Sequence, residues 1–209
     1  MYSPMLVSTG LPRYLDESEW AAEPKVDGWR CIVTVDERLE VRSRTGRFIT
    51  SIVPELGPLR DVGAPMVLDG ELVALDDRGR VDFYALSQRM LGRRSKRLVT
   101  FCAFDLLWLD GTDCTQLPYE NRRRLLEMLD LVGPAWCTLP SVPADSATDL
   151  LDACSRYGQE GIVLKRCGSR YVPGARSQDW RKRKTVEWRT VEAPRRLPAE
   201  VQAAMEARE

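Results

Sequence analysis

Histidine is missing from all 209 residues of the chain, and the formal charge is zero, with 31 lysine and arginine against 31 aspartate and glutamate. Without imidazole, Ser-His and Cys-His nucleophilic machinery is excluded, and any proton transfer falls to carboxylate, lysine or bound water. Without net charge there is no global basic field of the kind that marks a passive nucleic-acid coat, so a polyanion site has to be local. The six cysteines, Cys31, Cys102, Cys114, Cys137, Cys154 and Cys167, contain no C-x-x-C pair. A zinc site would need distant thiolates to converge, and reduced, mostly buried thiols in a reducing compartment are expected instead. Long apolar runs are lacking too: Val99 to Leu109 is interrupted by Asp105 and falls short of the roughly 18 to 20 residues a membrane span needs. The opening Met1-Tyr2-Ser3-Pro4 has no basic segment followed by a long apolar one, so a cytoplasmic protein without membrane contact is expected; a monomer is expected as well.

The hydrophobic share of 44% suits one substantial core. Strand-like apolar runs bounded by turn residues occur at Cys31 to Val35, Leu39 to Arg42, Met66 to Leu75, Leu98 to Leu107 and Gly161 to Arg166. Helical periodicity predicts helices over Tyr119 to Leu131 and Ser146 to Tyr157, with shorter ones at Pro54 to Arg60 and Phe83 to Leu91. Strands in antiparallel-looking pairs mixed with helices, without regular βαβ alternation, indicate an α+β layered domain over residues 1–190. Pro194, Arg195, Arg196 and Pro198 read as a linker, so residues 191–209 are expected to be a linker with a short helical tail.

Several residues suit phosphate chemistry. In Glu23-Pro24-Lys25-Val26-Asp27-Gly28-Trp29-Arg30, a nucleophilic lysine at 25 needs its amine free, which neighbouring cations and partial burial favour. Gly28 would let a nucleotide approach the backbone, and Arg30 offers a planar fork for phosphate or ribose oxygens. Taken alone, this segment is equally a charged turn before a strand. Glu71 ends a D-G-E turn and is either a solvated acid or a ligand for ribose hydroxyls or metal. Asp105, an acid inside an apolar run, demands a partner. Glu160 is a hard oxygen ligand suited to Mg²⁺. Lys182 and Lys184 alternate, so on a strand both ammonium groups face one side while Arg181 and Arg183 face the other.

Taken together, these segments resemble the covalent nucleotidyltransferase superfamily of ATP-dependent DNA ligases, RNA ligases and capping enzymes. Six short motifs stand in the family's order: Lys25 to Arg30, Ser43 to Gly46, Leu68 to Leu72, Phe101 to Leu107, Glu160 to Lys165 and Trp180 to Lys184. The resemblance is to the adenylation domain of an ATP-dependent DNA ligase. It implies two antiparallel-rich β-sheets flanked by helices around a nucleotide cleft, an ATP-grasp-like arrangement. It implies Lys25, Lys182 and Lys184 as catalytic residues, and Glu23, Arg30, Arg44, Glu71, Phe104 and Lys165 as ATP-binding residues. Phe104 would stack on the adenine and Glu23 would contact its amino group, while Glu160 and Glu71 would serve Mg²⁺ or Mn²⁺. The expected reaction carries AMP from ATP to Lys25, then to the 5′-phosphate of nicked duplex DNA.

Two basic clusters suit DNA phosphates: the excess of basic residues between Glu160 and Thr190, and Arg89, Arg93, Arg94, Lys96 and Arg97, the latter equally a solvated loop. Complete ligases of this kind continue into an OB-fold domain. Here that domain is expected to be absent, so self-adenylation is expected to be weak unless excess ATP or a partner, such as a separate OB-fold or end-joining protein, compensates. Alternatives are an RNA ligase or capping-type nucleotidyltransferase, or a non-catalytic nucleotide- or DNA-binding module. Against capping, Trp108-Leu109-Asp110-Gly111 and the stretch from Tyr171 to Ser177 resemble bacterial DNA ligases of the end-joining type.

Overall fold

The computed structural model describes residues 2–12, 15–93 and 97–192. The expected linker and tail from 193 onward, and Arg94 and Lys96, lie outside the described residues. The strands are β1 (Leu6–Thr9), β2 (Trp20–Lys25), β3 (Trp29–Val35), β4 (Leu39–Ser43), β5 (Met66–Ala74) and β6 (Val99–Leu109). They continue as β7 (Thr112–Asp113), β8 (Val132–Gly133), β9 (Trp136–Thr138), β10 (Val142–Pro143), β11 (Gly161–Arg166) and β12 (Arg176–Lys184). Among the described residues three α-helices accompany them: α1 (Phe83–Met90), α2 (Tyr119–Met128) and α3 (Ala147–Arg156).

The strands form two sheets, in the orders β1-β12-β11-β2-β10 and β4-β3-β5-β6-β9-β8, with β7 hairpinned onto β6. Most neighbours are antiparallel; β1 with β12 and β6 with β9 are parallel. This is the mixed, two-sheet α+β architecture expected. The short helix expected at residues 54–60 is a 3-10 helix, Pro54–Asp61, with Pro58 inside it. Asp82 caps α1 by accepting from the Ala85 N–H at 2.9 Å.

Sheet alternation divides the core. One face of the larger sheet, with Val33, Leu68, Leu72 and Phe101, packs on Leu56, Leu59, Leu86 and Leu126 from the helices. Its other face, with Ile32, Val73, Phe104 and Leu107, meets Trp180 of the smaller sheet. The outer face of the smaller sheet, with Trp20, Ala22, Ile162 and Leu164, packs on Cys154 of α3. Each fully buried large apolar side chain contributes about 1.5–3 kcal/mol. Two sheets held from outside by helices thus face each other across a cleft in which ionisable groups stand among apolar ones. Among the described residues no helix is long and apolar enough to cross a membrane.

Candidate active site

Register sets the ionisable groups in rows. Across β2, β11 and β12, Lys25, Gly161 and Lys184 lie directly opposite one another, as do Glu23, Val163 and Lys182. Cross-strand partners project to the same side, so the three lysines and Glu23 share the inner face of the smaller sheet. On the larger sheet, Arg30, Glu71 and Cys102 form a row across β3, β5 and β6. The cleft between the sheets is lined by Glu23, Lys25, Arg30, Glu71, Phe104 and Lys165. Val7, Val26, Leu139, Val163 and Trp180 complete its apolar wall; the sequence had assigned none of them a role.

Lys25 stands at the end of β2, a strand rather than the charged turn that the segment alone allowed. Its Nζ donates to Glu160 Oε2 at 2.6 Å, while Lys184 Nζ reaches Glu160 Oε1 at 2.8 Å. The Lys184 ammonium also lies 3.6 Å from the ring centroid of Trp188, a residue the sequence reading overlooked. Lys182 does not line the cleft, but burial lowers its pKa, and the positive charges of Lys25 and Lys184 lower it further. The lowering that cationic neighbours produce is thus visible on the lysine beside the expected nucleophile.

On the opposite wall, burial pushes the Glu71 carboxyl up to about 7, outweighing the pull of Lys25 and Arg30. Gly28 is required by this wall. A Cβ there would lie 2.0 Å from the Leu72 carbonyl oxygen and 2.9 Å from Glu71 Cγ, so the loop after β2 presses on β5. The close approach that the sequence assigned to a nucleotide is made by the protein's own backbone.

Arg30 differs from expectation. Its Nε and Nη2 donate to the two oxygens of Asp69 at 2.6 and 2.5 Å, and Tyr171 donates its hydroxyl to the same carboxylate at 2.6 Å. The fork expected to grip phosphate or ribose is therefore spent on a fully buried acid. What Arg30 presents to Phe104 is its cation, 4.4 Å from the ring centroid. Phe104 is 8% exposed, and its carbonyl accepts from Lys165 Nζ at 2.8 Å.

Lys165 in turn pairs with Glu23 at 2.7 Å, and Tyr119 donates its hydroxyl to the other Glu23 oxygen at 2.5 Å. Burial lowers the Lys165 pKa even though Glu23 opposes it. Asp105 has the partner it demanded: Arg122 of α2 holds both its oxygens at 2.7 and 3.1 Å, fully buried. The signal for Arg122 was present, since an acid in an apolar strand called for a base and α2 carries Arg122-Arg123-Arg124.

Arg44 is exposed after β4 and does not line the cleft. Arg89 is bound to Glu55 at 2.8 and 2.9 Å and to the Ile52 carbonyl, so this member of the second basic cluster serves the fold. Arg181 donates to the carbonyls of Gly10 and Leu11 at 3.0 Å, fastening the chain beyond β1.

Residues 4–184 match the family model described as ATP dependent DNA ligase domain. The multifunctional non-homologous end joining protein LigD of Mycobacterium bovis is 42% identical over 195 residues, 91% of this chain and 24% of that protein. The SPbeta prophage-derived DNA ligase-like protein LigB of Bacillus subtilis is 30% identical over 86% of this chain and 66% of that one. Among solved structures, the ligase domain of M. tuberculosis LigD superposes with a TM-score of 0.75 at 36% identity, over 88% of this chain and 60% of that one. A mycobacterial DNA ligase D complexed with ATP and MES gives 0.74 at 37% identity, over the same shares. The chain therefore spans about a quarter of the length of the mycobacterial LigD relatives. With that family model covering most of its length, and with Glu23, Lys25, Arg30, Glu71, Phe104 and Lys165 gathered in one cleft, the chain belongs to the ATP-dependent DNA ligase domain family.

Proposed function

We propose that this domain is the catalytic core of an ATP-dependent DNA ligase in which Lys25 becomes covalently adenylated. The observation that carries the reading is the placement of the Lys25 Nζ on Glu160, in one register row with Lys184, facing Glu71 and Phe104 across the cleft. The amine attacks the α-phosphorus of ATP, the bond to the β-phosphate oxygen breaks, and pyrophosphate leaves. AMP then passes to the 5′-phosphate at a nick in duplex DNA, and the adjacent 3′-hydroxyl displaces it to seal the strand.

The residues present divide the work. The Lys25 ammonium has to leave Glu160 and lose its proton before it can attack, and the phosphates of an entering nucleotide compete with Glu160 for the lysine charges. Lys184 and Lys182 stabilise negative charge spreading over the phosphate oxygens, most strongly where water is excluded. Phe104 supplies a flat apolar surface for the base, and Glu23 an acceptor for its exocyclic amine. Lys165 and Tyr119 hold the Glu23 carboxylate in place.

The Glu160 charge adds to the raising of the Glu71 carboxyl, so the two carboxylates lie within electrostatic reach. Mg²⁺ is typically held by one or two carboxylates together with substrate phosphates rather than by an all-protein cage, so this pair fits it. Bound there, the ion would neutralise phosphate charge. The names of the LigD relatives support an end-joining role; a separate OB-fold or end-joining protein as partner belongs to the same proposal.

Incubation with radiolabelled ATP and Mg²⁺ tests the reading. An acid-labile adduct is expected on the wild-type chain and none on Lys25→Ala. No adduct at any ATP concentration, or one that survives the substitution, overturns the assignment. Sealing of nicked DNA in preference to nicked RNA, and labelling by ATP rather than GTP, are expected of the same reading.

A further inference from the structure

The row formed by Arg30, Glu71 and Cys102 continues one strand further. Cys102 on β6 is paired directly with Cys137 on β9, in parallel register. Their sulfur atoms are 3.7 Å apart and hydrogen-bonded. Cys102 is buried, whereas Cys137 is half-buried, so Cys137 is the less shielded of the pair. Neighbouring strands lie about 4.7–4.9 Å apart, within the Cα separations of about 4.4–6.8 Å that disulfides span. Bonding therefore asks for side-chain rotation with little backbone movement. The hydrogen bond with Cys102 brings the Cys137 thiol down to about 7 against the opposing effect of burial. All six cysteines are free thiols, and the sulfur contacts of Cys114 and Cys154 go to oxygen atoms instead.

We propose that Cys102 and Cys137 are a peroxide-oxidisable dithiol that closes to a disulfide beside Glu71, against the nucleotide cleft. The Cys137 thiolate attacks one oxygen of hydrogen peroxide, the O–O bond breaks, and hydroxide leaves, giving a sulfenic acid. The Cys102 sulfur then attacks the sulfenyl sulfur and gives up its proton; the S–O bond breaks and water leaves. Two thiols and one peroxide become one disulfide and two waters. Thiols reverse the bond by exchange.

The closed bond has a mechanical consequence for the cleft. It locks β6 to β9 at the position opposite Glu71, two residues before Phe104 and Leu139, which both line the cleft and then lose their freedom to adjust to a nucleotide. Adenylation of Lys25 accordingly slows on oxidation. This consequence rests on the proposed ligase chemistry; the crosslink itself does not.

The full chain is treated with hydrogen peroxide, unreacted thiols are alkylated, and the intact mass is measured. Expected is the loss of two hydrogen atoms and of two alkylation sites. Tandem fragmentation should place the bond between Cys102 and Cys137, dithiothreitol should reverse it, and Cys137→Ser and Cys137→Ala should both lack it. No such loss, a bond joining other cysteines, or one persisting in both variants overturns the proposal. ATP labelling of the same samples separates the two readings. A several-fold fall is expected on oxidation of the wild type and none in Cys137→Ser. A crosslink that leaves labelling unchanged refutes the coupling to the cleft. Failure of the reduced wild type to label refutes the ligase chemistry and leaves the dithiol standing.

Discussion

Lys25 and Lys184 hold opposite oxygens of one carboxylate, Glu160, at 2.6 and 2.8 Å. They reach it from strands far apart in sequence, with Gly161 of β11 between them in register. Gly161 has a φ of +154°, and a Cβ there would strike the Arg183 carbonyl at 2.1 Å, so the spacing of the two lysines depends on a residue without a side chain. The buried carboxylate keeps two like charges close together.

Glu160→Gln tests that role. The amide preserves shape but removes the charge that offsets two ammonium groups. Loss of a carboxylate that orients site groups typically costs about 10–100-fold, and the rate of adduct formation should fall by that order. An unchanged single-turnover labelling rate would exclude Glu160 from the reaction.

Glu71 predicts a pH dependence of stability in the metal-free protein. Its carboxyl is raised from 4.5 to about 7, so between those values the folded state holds a proton that the unfolded state has released. Stability from this group is complete below about pH 4.5 and is lost as pH rises through 7. Glu71→Gln lacks the titration. Urea denaturation in the presence of chelator should show the variant gaining on the wild type across that window, by about 3 kcal/mol at most. A difference that does not change between pH 4.5 and 8 would contradict the burial cause.

Much of the fold was legible because burial writes itself into apolar runs. Residues 31–35, 66–74 and 161–166 are strands where such runs stand, and α2 and α3 follow their apolar stripes. β2 and β12 were not legible in the same way. β2 contains Pro24 and Glu23, and β12 reads Arg-Ser-Gln-Asp-Trp-Arg-Lys-Arg-Lys, with Trp180 as its single apolar side chain. These strands form because their neighbours pair with them on both sides, a tertiary cause that no local pattern carries. The site divides likewise. Lys25, Glu71, Phe104 and Glu160 were visible in short motifs. The capture of Arg30 by Asp69, of Asp105 by Arg122, and the meeting of Cys102 with Cys137 arise from strand register and helix docking.

The pair of Arg122 and Asp105 should be among the most sensitive in the core. Both side chains are fully buried, and Arg122 also donates to the carbonyls of Leu117 and Ser169 at 2.7 and 3.0 Å. Arg122→Ala strands a buried carboxylate beside Lys165 and leaves two carbonyls without their donor. A loss of about 3–5 kcal/mol is expected, read as a lower denaturation midpoint with unchanged slope. A change within experimental error would mean that water reaches Asp105.

Gly28→Ala should damage the site more than its size suggests. The added carbon cannot coexist with the Leu72 carbonyl at 2.0 Å, and neither partner is the movable end of a side chain, so the loop between Lys25 and Arg30 has to lift away from β5. Glu71 then loses its neighbour and Lys25 its alignment. Adduct formation should fall sharply while far-ultraviolet circular dichroism stays near that of the wild type. Retained labelling would show that the loop adapts without moving Lys25.

Trp188 should act through Lys184. Its ring lies 3.6 Å from the ammonium that also binds Glu160, and its backbone N–H is fixed to the Thr185 hydroxyl at 3.1 Å. Such a contact contributes about 0.5–2 kcal/mol, which corresponds to about 2- to 30-fold in rate. If Lys184 stabilises charge developing in the transition state, Trp188→Ala should lower the maximal adenylation rate and leave the ATP concentration for half-maximal rate nearly unchanged. Trp188→Phe should recover most of the loss, since it keeps an aromatic face. Equal defects in the two variants would assign the tryptophan to packing after β12 and not to the cation.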